Sequence, residues 1–329
     1  RGIDICLPDA ALAAPAKGGR LVLLDTEGLA SMDQDENYDA QVFSLALLLS
    51  SYFVINSMGV IDEAAIDRLY LMTELSKTIQ VSAAPADSAA ELAPFFPPLL
   101  WLLRDFVLDL TADGKTISEQ EYMEAAISAR STNQRRAAER NDIRQAIREL
   151  FPARRCRTLV RPAVDEESIR QAVKLEDAQL RPEFVKQMGT VRDELLAAAP
   201  VKSLYGSALD GSMLATLAQS YLDAMNAPGA LPCIRSAWEF VVEERCRAAA
   251  DDALRDADGY LAAAAAASPL PSAADWEAAA HGATAGALAA FDERAGGAGG
   301  GANASAAATV RARRAELEEK VGAAAAARR

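Results

Sequence analysis

Three apolar runs that stop abruptly on polar residues constrain this chain more than any other feature: LVLLD at 21–25, YFVIN at 52–56 and LLWLLRD at 99–105. A run of this kind, without alternation, suits a strand covered on both faces. Helical spacing fills the gaps between the runs. Residues 39–49 read as a buried helix with Asp39 as N-cap. Residues 62–79 read as a helix whose core stripe passes through Ile66, Leu69, Tyr70, Thr73 and Ile79. Segments 118–130, 138–150, 165–175 and 182–198 read as helices, the last with Pro182 in its first turn, and 156–160 as a further short strand. Strands alternating with helices predict an α/β domain with a mostly parallel sheet. Ahead of them, Ile3-Asp4-Ile5-Cys6-Leu7 alternates apolar and polar, as a half-buried edge strand does, and forms a hairpin leading into the 21–24 strand, which is expected to be central.

Composition changes near residue 200. Beyond it alanine dominates, and 210–226, 233–267, 276–294 and 310–327 read as helices, with a Gly-rich stretch at 295–303. Alanine favours helix strongly but buries little area per residue, so these helices are expected to pack weakly or to need a partner. The expected division is an α/β domain at 1–205 and an all-α region at 206–329.

Charge and scarce residue types remove several function classes. Lys and Arg number 34 against 47 Asp and Glu, a balance of −13, which argues against charge-driven binding to nucleic acid or an anionic membrane. The 4 cysteines have no paired spacing for disulfides or zinc and are expected to be small buried residues. The one histidine, His281, is expected on a helix surface and cannot supply a Ser-His-Asp triad from the first two thirds of the chain. The basic run Arg154, Arg155 and Arg157 reads as a solvated turn. The apolar stretch at 42–56 is broken by serines and too short to span a bilayer, and RGIDICLP is no signal peptide, so cytoplasm is the expected location.

Open parallel sheets bind ligands beyond the carboxyl ends of their strands. In LVLLDTEGL at 21–29, Asp25 can hold Mg²⁺, usually through water, and the glycine just beyond it lets a backbone N–H approach a terminal phosphate. Read alone, the same residues are first of all a strand followed by an ordinary loop, with Asp25 as a cap. Arg104-Asp105 closes another buried strand. Its carboxylate can accept from the N1 and N2 donors of guanine, and its guanidinium can stack over a base. Read alone, this pair is first of all a local salt bridge at a strand end.

Taken together, the segments at 21–29, 44–75, 95–110 (FFPPLLWLLRDFVLDL), 113–122 (DGKTISEQEY), 151–162 (FPARRCRTLVRP), 180–188 (LRPEFVKQM) and 231–233 (LPC) resemble, in order and spacing, the guanylate-binding proteins, large GTPases of the dynamin superfamily related to the atlastins. The resemblance implies a P-loop-GTPase-like, mostly parallel sheet flanked by helices and followed by an all-α region. It implies GTP and GDP as ligands, Mg²⁺ as cofactor, hydrolysis of GTP, and a nucleotide-dependent homodimer. Asp25 would be the magnesium-linked aspartate, Glu27 would order the phosphate end of the site, and Gly28 would offer its amide to the γ-phosphate. Arg104 and Asp105 match the Arg-Asp pair that stands for Asn-Lys-x-Asp in this family, with Asp105 reading guanine and Arg104 covering it. The family's GxxxxGK[ST] loop and switch threonine do not occur in the sequence, and Arg1 aligns just after that threonine. The expectation is that the first strand, the P-loop, the first switch and the catalytic residues lie upstream, and that the fragment alone lacks activity. Leu102 stands where the family has Thr, and 163–167 is acidic where relatives carry basic residues. The helical region would be an arm for assembly or mechanical coupling. The alternatives are a non-hydrolysing guanine-nucleotide scaffold and a structural helical protein with a vestigial head. The sequence shows no membrane attachment and leaves membrane association open.

Overall fold

The computed structural model describes residues 3–8, 19–26, 36–82, 89–130, 137–227, 230–267, 271–296 and 303–328. Contacts group them into two units. One comprises residues up to Lys202 together with Met225–Cys233, the other Ser203–Ala224 together with Ile234 onward.

The first unit opens with an antiparallel ribbon of β1 (Ile3–Cys6) and β2 (Leu23–Thr26), in which Ile5 faces Leu24 and Asp4 faces Asp25. Helix α1 (Glu36–Leu49) leads into β3 (Phe53–Met58). Three short helices, α2 (Glu63–Asp67), α3 (Leu71–Thr78) and α4 (Ala89–Leu92), precede β4 (Leu99–Arg104). A small hairpin of β5 (Thr111–Ala112) and β6 (Lys115–Thr116) is followed by α5 (Glu119–Ala126), α6 (Ala137–Leu150) and β7 (Arg154–Thr158). Helices α7 (Glu166–Arg170) and α8 (Pro182–Ala198) complete the series. The unit is mixed α/β: β3, β4 and β7 form a parallel sheet in the order β3-β4-β7, flanked by helices.

Strand β4 is central, with β3 and β7 on its two edges, and both its faces are apolar. Leu99, Trp101 and Leu103 are buried on one side, where the Trp101 indole N–H donates to Ser57 Oγ at 2.9 Å. Leu100 is buried on the other, packed with Leu159 and with Val191 of α8. Local signals set several helix starts. Asp62 caps α2 by accepting from the Ala65 N–H at 2.7 Å, Ser118 and Glu121 form a capping box on α5, and Pro182 opens α8.

The structure corrects four expectations here. The 21–24 run is not a covered central strand: β2 pairs only with β1 among the described residues, and Leu23 is 48% and Ile5 68% exposed. An apolar run records what a strand could bury, while neighbours from elsewhere decide whether it does. Asp39 is not an N-cap but lies buried within α1. The single helix expected at 62–79 is two, parted by a turn at Arg68–Tyr70. The basic run at 154–157 is not a solvated turn: it belongs to β7, the strand expected at 156–160, which starts two residues earlier.

The second unit starts with a hairpin of β8 (Ser203–Leu204) and β9 (Ser207–Ala208), followed by α9 (Gly211–Asn226), α10 (Ile234–Ala265), α11 (Ala273–Arg294) and α12 (Ala304–Arg328). Helices α10, α11 and α12 pack on one another. Along α10 the buried stripe runs Trp238, Val242, Cys246, Ala249, Ala253, Ala257 and Leu261, steps of three or four residues that keep one face inward. Alanines on the stripe are no obstacle to packing, because Trp238, Trp276, Phe291, Leu317 and Val321 supply the bulk and the helices serve as one another's partners. Ion pairs tie the bundle outside the core: Arg313 to Glu243, Arg314 to Asp292 and Arg328 to Asp258. His281 is exposed as expected. No helix among the described residues is long and apolar enough to cross a membrane.

Candidate functional site

The carboxyl ends of β3, β4 and β7 lie side by side, and the backbone there is clamped from both flanks. The Gly59 N–H, which follows β3 at φ 81°, donates to the Arg104 carbonyl at 2.7 Å. On the other flank the Leu159 N–H donates to the Leu103 carbonyl at 2.8 Å, and the Phe106 N–H to the Leu159 carbonyl at 2.9 Å. Phe106 is buried edge-on against Tyr122, with ring centroids 5.4 Å apart. Between these anchors Asp105 sits at φ 55°, a left-handed conformation that aspartate tolerates better than most residues and that collects at functional sites. The turn lifts Arg104 and Asp105 onto the crest of the sheet, with Arg104 exposed and the Asp105 side chain 27% exposed.

Each member of the pair has a neighbour from another element. Arg104 Nε donates to Asn56 Oδ1 on β3 at 2.7 Å. Arg161, just past β7, approaches Asp105 with Nε 3.9 Å from Oδ2, while its Nη2 donates to Glu166 at 3.3 Å. Asn56 closes the YFVI run, at a strand end where the sequence directs the search for ligand-binding residues, but the sequence assigns neither it nor Arg161 a role of its own. Asn56 looked like the end of its strand, which in fact continues to Met58. Arg161 looked like a stop signal before Pro162.

Asp25 lies on the β1–β2 ribbon, exposed, and is not in the sheet that carries Asp105. Directly across from it is Asp4. Two like charges opposed on one face of an antiparallel pair are unfavourable, and a divalent cation between or near them relieves the repulsion. Oxygen-only donors of this kind suit Mg²⁺, which commonly takes one or two carboxylates and completes its shell with water and substrate phosphate. No group of three or more His, Cys, Asp or Glu residues among the described residues is arranged to hold a metal on its own. Glu27 and Gly28 lie outside the described residues.

The basic run on β7 is neutralised by the protein itself. Arg154 makes a two-pronged contact with Glu124, at 2.9 and 2.7 Å. Arg157 bridges Glu194 at 2.7 Å and Glu119 at 3.0 Å, and Arg155 reaches Glu194 at 2.9 Å. Burial alone would lower the pKa of Arg157, but those two carboxylates outweigh it and raise it. Glu119 also accepts from the Thr158 N–H and hydroxyl, so the run fastens α5 and α8 to the sheet rather than presenting charge to a ligand. Burial first, then the Glu119 charge, push the Cys156 thiol up to about 12, leaving it an inert core group. Of the other cysteines Cys246 is buried, Cys233 is half-buried and Cys6, against expectation, is exposed. Lys202 is half-buried and donates to the Ser50 carbonyl at 2.8 Å, and its desolvation lowers its pKa to about 8.

The helical unit has a cavity of about 470 Å³ along α9 and α10, lined in part by Arg245, Arg247 and Arg294. Each of these is held by a carboxylate: Asp210, Glu244 and Asp256 respectively. Burial would raise the pKa of Asp210, but the Ser212 hydroxyl, the Met213 N–H and Arg245 together bring it down to about 2.

Comparison with known proteins adds to this geometry. Residues 6–204 match the family model for the guanylate-binding protein N-terminal domain, and residues 205–295 that for the guanylate-binding protein C-terminal domain. The chain is 37% identical over 223 residues to guanylate-binding protein 2 of Homo sapiens, covering 66% of this chain and 37% of that one. It is 38% identical over 233 residues to guanylate-binding protein 2 of Rattus norvegicus, covering 68% and 39%. With guanylate-binding protein 6 of Homo sapiens the identity is 38% over 223 residues, covering 66% and 35%. The chain thus spans little more than a third of the length of these relatives.

Proposed function

The chain belongs to the guanylate-binding protein family of large GTPases, and from that premise we propose that its α/β unit binds a guanine nucleotide and, at the protein's full natural length, takes part in hydrolysing GTP. The observation that carries this reading is the Arg104-Asp105 crest. A carboxylate is turned out of the sheet at the carboxyl end of its central parallel strand, next to a guanidinium of which, among the described residues, Nε alone is occupied. Parallel sheets receive nucleotides at that end. In this reading Asp105 accepts from N1–H and the exocyclic amine of guanine, a donor pair that adenine lacks. Arg104 lies over the base. Asp25 holds Mg²⁺ through water, Glu27 orders the phosphate end, and the Gly28 amide faces the γ-phosphate. When bound, Mg²⁺ supplies positive charge to the phosphate oxygens. Residues 1–205 then act as the nucleotide domain, and 206–329 as an arm for assembly or mechanical coupling. A cytoplasmic location and nucleotide-dependent pairing of two copies go with this reading, and the pairing rests on family resemblance.

Isothermal titration of the full-length protein with a non-hydrolysable GTP analogue and Mg²⁺ tests binding, and release of inorganic phosphate from GTP tests turnover. Heat of binding together with phosphate release is the expected result. Binding without release would leave a nucleotide scaffold, and no binding would remove the reading altogether.

A further inference from the structure

We propose that Asn56 is a positioning residue for Arg104, holding its guanidinium in the orientation that covers the nucleotide base; this rests on the guanine-nucleotide reading of the Arg104-Asp105 crest. In the parallel register of β3 and β4, Asn56 pairs with Leu102 and Met58 with Arg104. Side chains two apart on a strand share a face, so Asn56, Met58, Leu102 and Arg104 all stand on the same side of the sheet. On that side Arg104 Nε donates to Asn56 Oδ1 at 2.7 Å. The bond uses the one guanidinium nitrogen that lies inside the side-chain stem. It fixes the plane of the group and leaves its outer edge clear. Among the described residues, neither Nη of Arg104 has an acceptor.

An exposed arginine otherwise samples many rotamers, and ordering it on binding costs affinity. A single acceptor on the adjacent strand removes much of that cost before the ligand arrives. The alternative is that the bond merely ties two strands together, and its setting argues against that. Both side chains are exposed, and β3 and β4 are already joined by a full parallel ladder through Phe53–Met58 and Leu99–Arg104. A solvent-facing side-chain bond adds little to such a ladder. Among the described residues Asn56 accepts only from Nε, so it neither competes with the nucleotide for the Nη groups nor neutralises the charge.

The test is a double-mutant cycle on the full-length protein, read as the dissociation constant of a ribose-labelled fluorescent GDP in the presence of Mg²⁺. Asn56→Leu keeps the branching at Cγ and removes the acceptor. It should weaken binding by about 5-fold while leaving the melting temperature in place. Asn56→Ser, too short to reach Nε, should do the same. In an Arg104→Ala background, Asn56→Leu should change nothing further, because the group it positions is gone. A merely structural role would give the same loss in both backgrounds, and that result overturns the proposal. So does unchanged affinity for Asn56→Leu where Arg104→Ala alone weakens binding, an outcome that leaves the nucleotide reading standing. If Arg104→Ala itself binds as the native protein does, the base-covering assignment fails and this inference with it.

Discussion

Replacing Asp105 with Asn isolates base reading from folding. Asparagine tolerates the left-handed region about as well as aspartate, so the φ of 55° survives the change. The neighbours that hold the turn, Gly59, Leu159 and Phe106, bond through their own backbone groups and are untouched. Within the protein, the change removes the ion pair with Arg161 at 3.9 Å, between side chains 27% and 42% exposed. A pair of that kind is worth at most about 1 kcal/mol. On the ligand side the loss is larger. A carboxylate accepting two N–H donors from guanine makes two bonds to a charged group, each worth about 1.5–3 kcal/mol. An amide can offer one acceptor and sets a donor against a donor. The expected weakening of GTP is therefore about 10²- to 10⁴-fold. Xanthine has a carbonyl where guanine has its amine, so a xanthosine nucleotide should regain much of that loss on the Asp105→Asn protein. The assay is isothermal titration of native and Asp105→Asn protein with non-hydrolysable GTP and xanthosine analogues, alongside a thermal melt. Unchanged GTP affinity, or equal losses for both nucleotides with an unchanged melt, would refute the assignment of Asp105 to the base edge.

Three further outcomes follow from other residues. The folded pKa of Lys202 lies near 8 against 10.5 unfolded, so the folded state holds fewer protons between those values. Its charge then costs folding roughly 3 kcal/mol below pH 8, and the cost fades as pH rises towards 10.5. Lys202→Met should raise the urea midpoint at pH 7, net of the donor lost by the Ser50 carbonyl, and the gain should shrink by pH 10; an equal gain at both values would contradict the argument. Arg144 is buried and held by Glu63 at 2.7 Å, the Ala126 carbonyl and Asn141. Glu63→Ala leaves that charge uncompensated and should cost about 3 kcal/mol in chemical denaturation, with Arg144→Met in the same chain restoring part of it. Alkylation of the native protein at pH 8 followed by peptide mapping should label Cys6 first and spare Cys156, whose thiol is held near 12; rapid labelling of Cys156 would contradict its burial.

Much of the α/β architecture was legible because its signals are local. The WLLRD run marks a strand able to be covered on both faces, Pro182 and Ser118 mark helix starts by their own chemistry, and the spacing along α10 is set by the helix repeat alone. The position of Arg104-Asp105 at a strand end, and the family to which the chain belongs, could likewise be read from residue order. The tertiary structure decided what depends on distant partners. LVLLD and WLLRD look alike as sequence, yet one forms an exposed ribbon and the other the centre of a sheet, because among the described residues β4 alone of the two has strands on both edges and helices over its faces. The arginines of β7 looked solvated until Glu119, Glu124 and Glu194 arrived from two helices. Asn56 and Arg161 gained meaning only when parallel pairing set them beside Arg104 and Asp105. Periodicity and capping act within a few residues, whereas burial and charge pairing are settled by whatever the fold brings alongside.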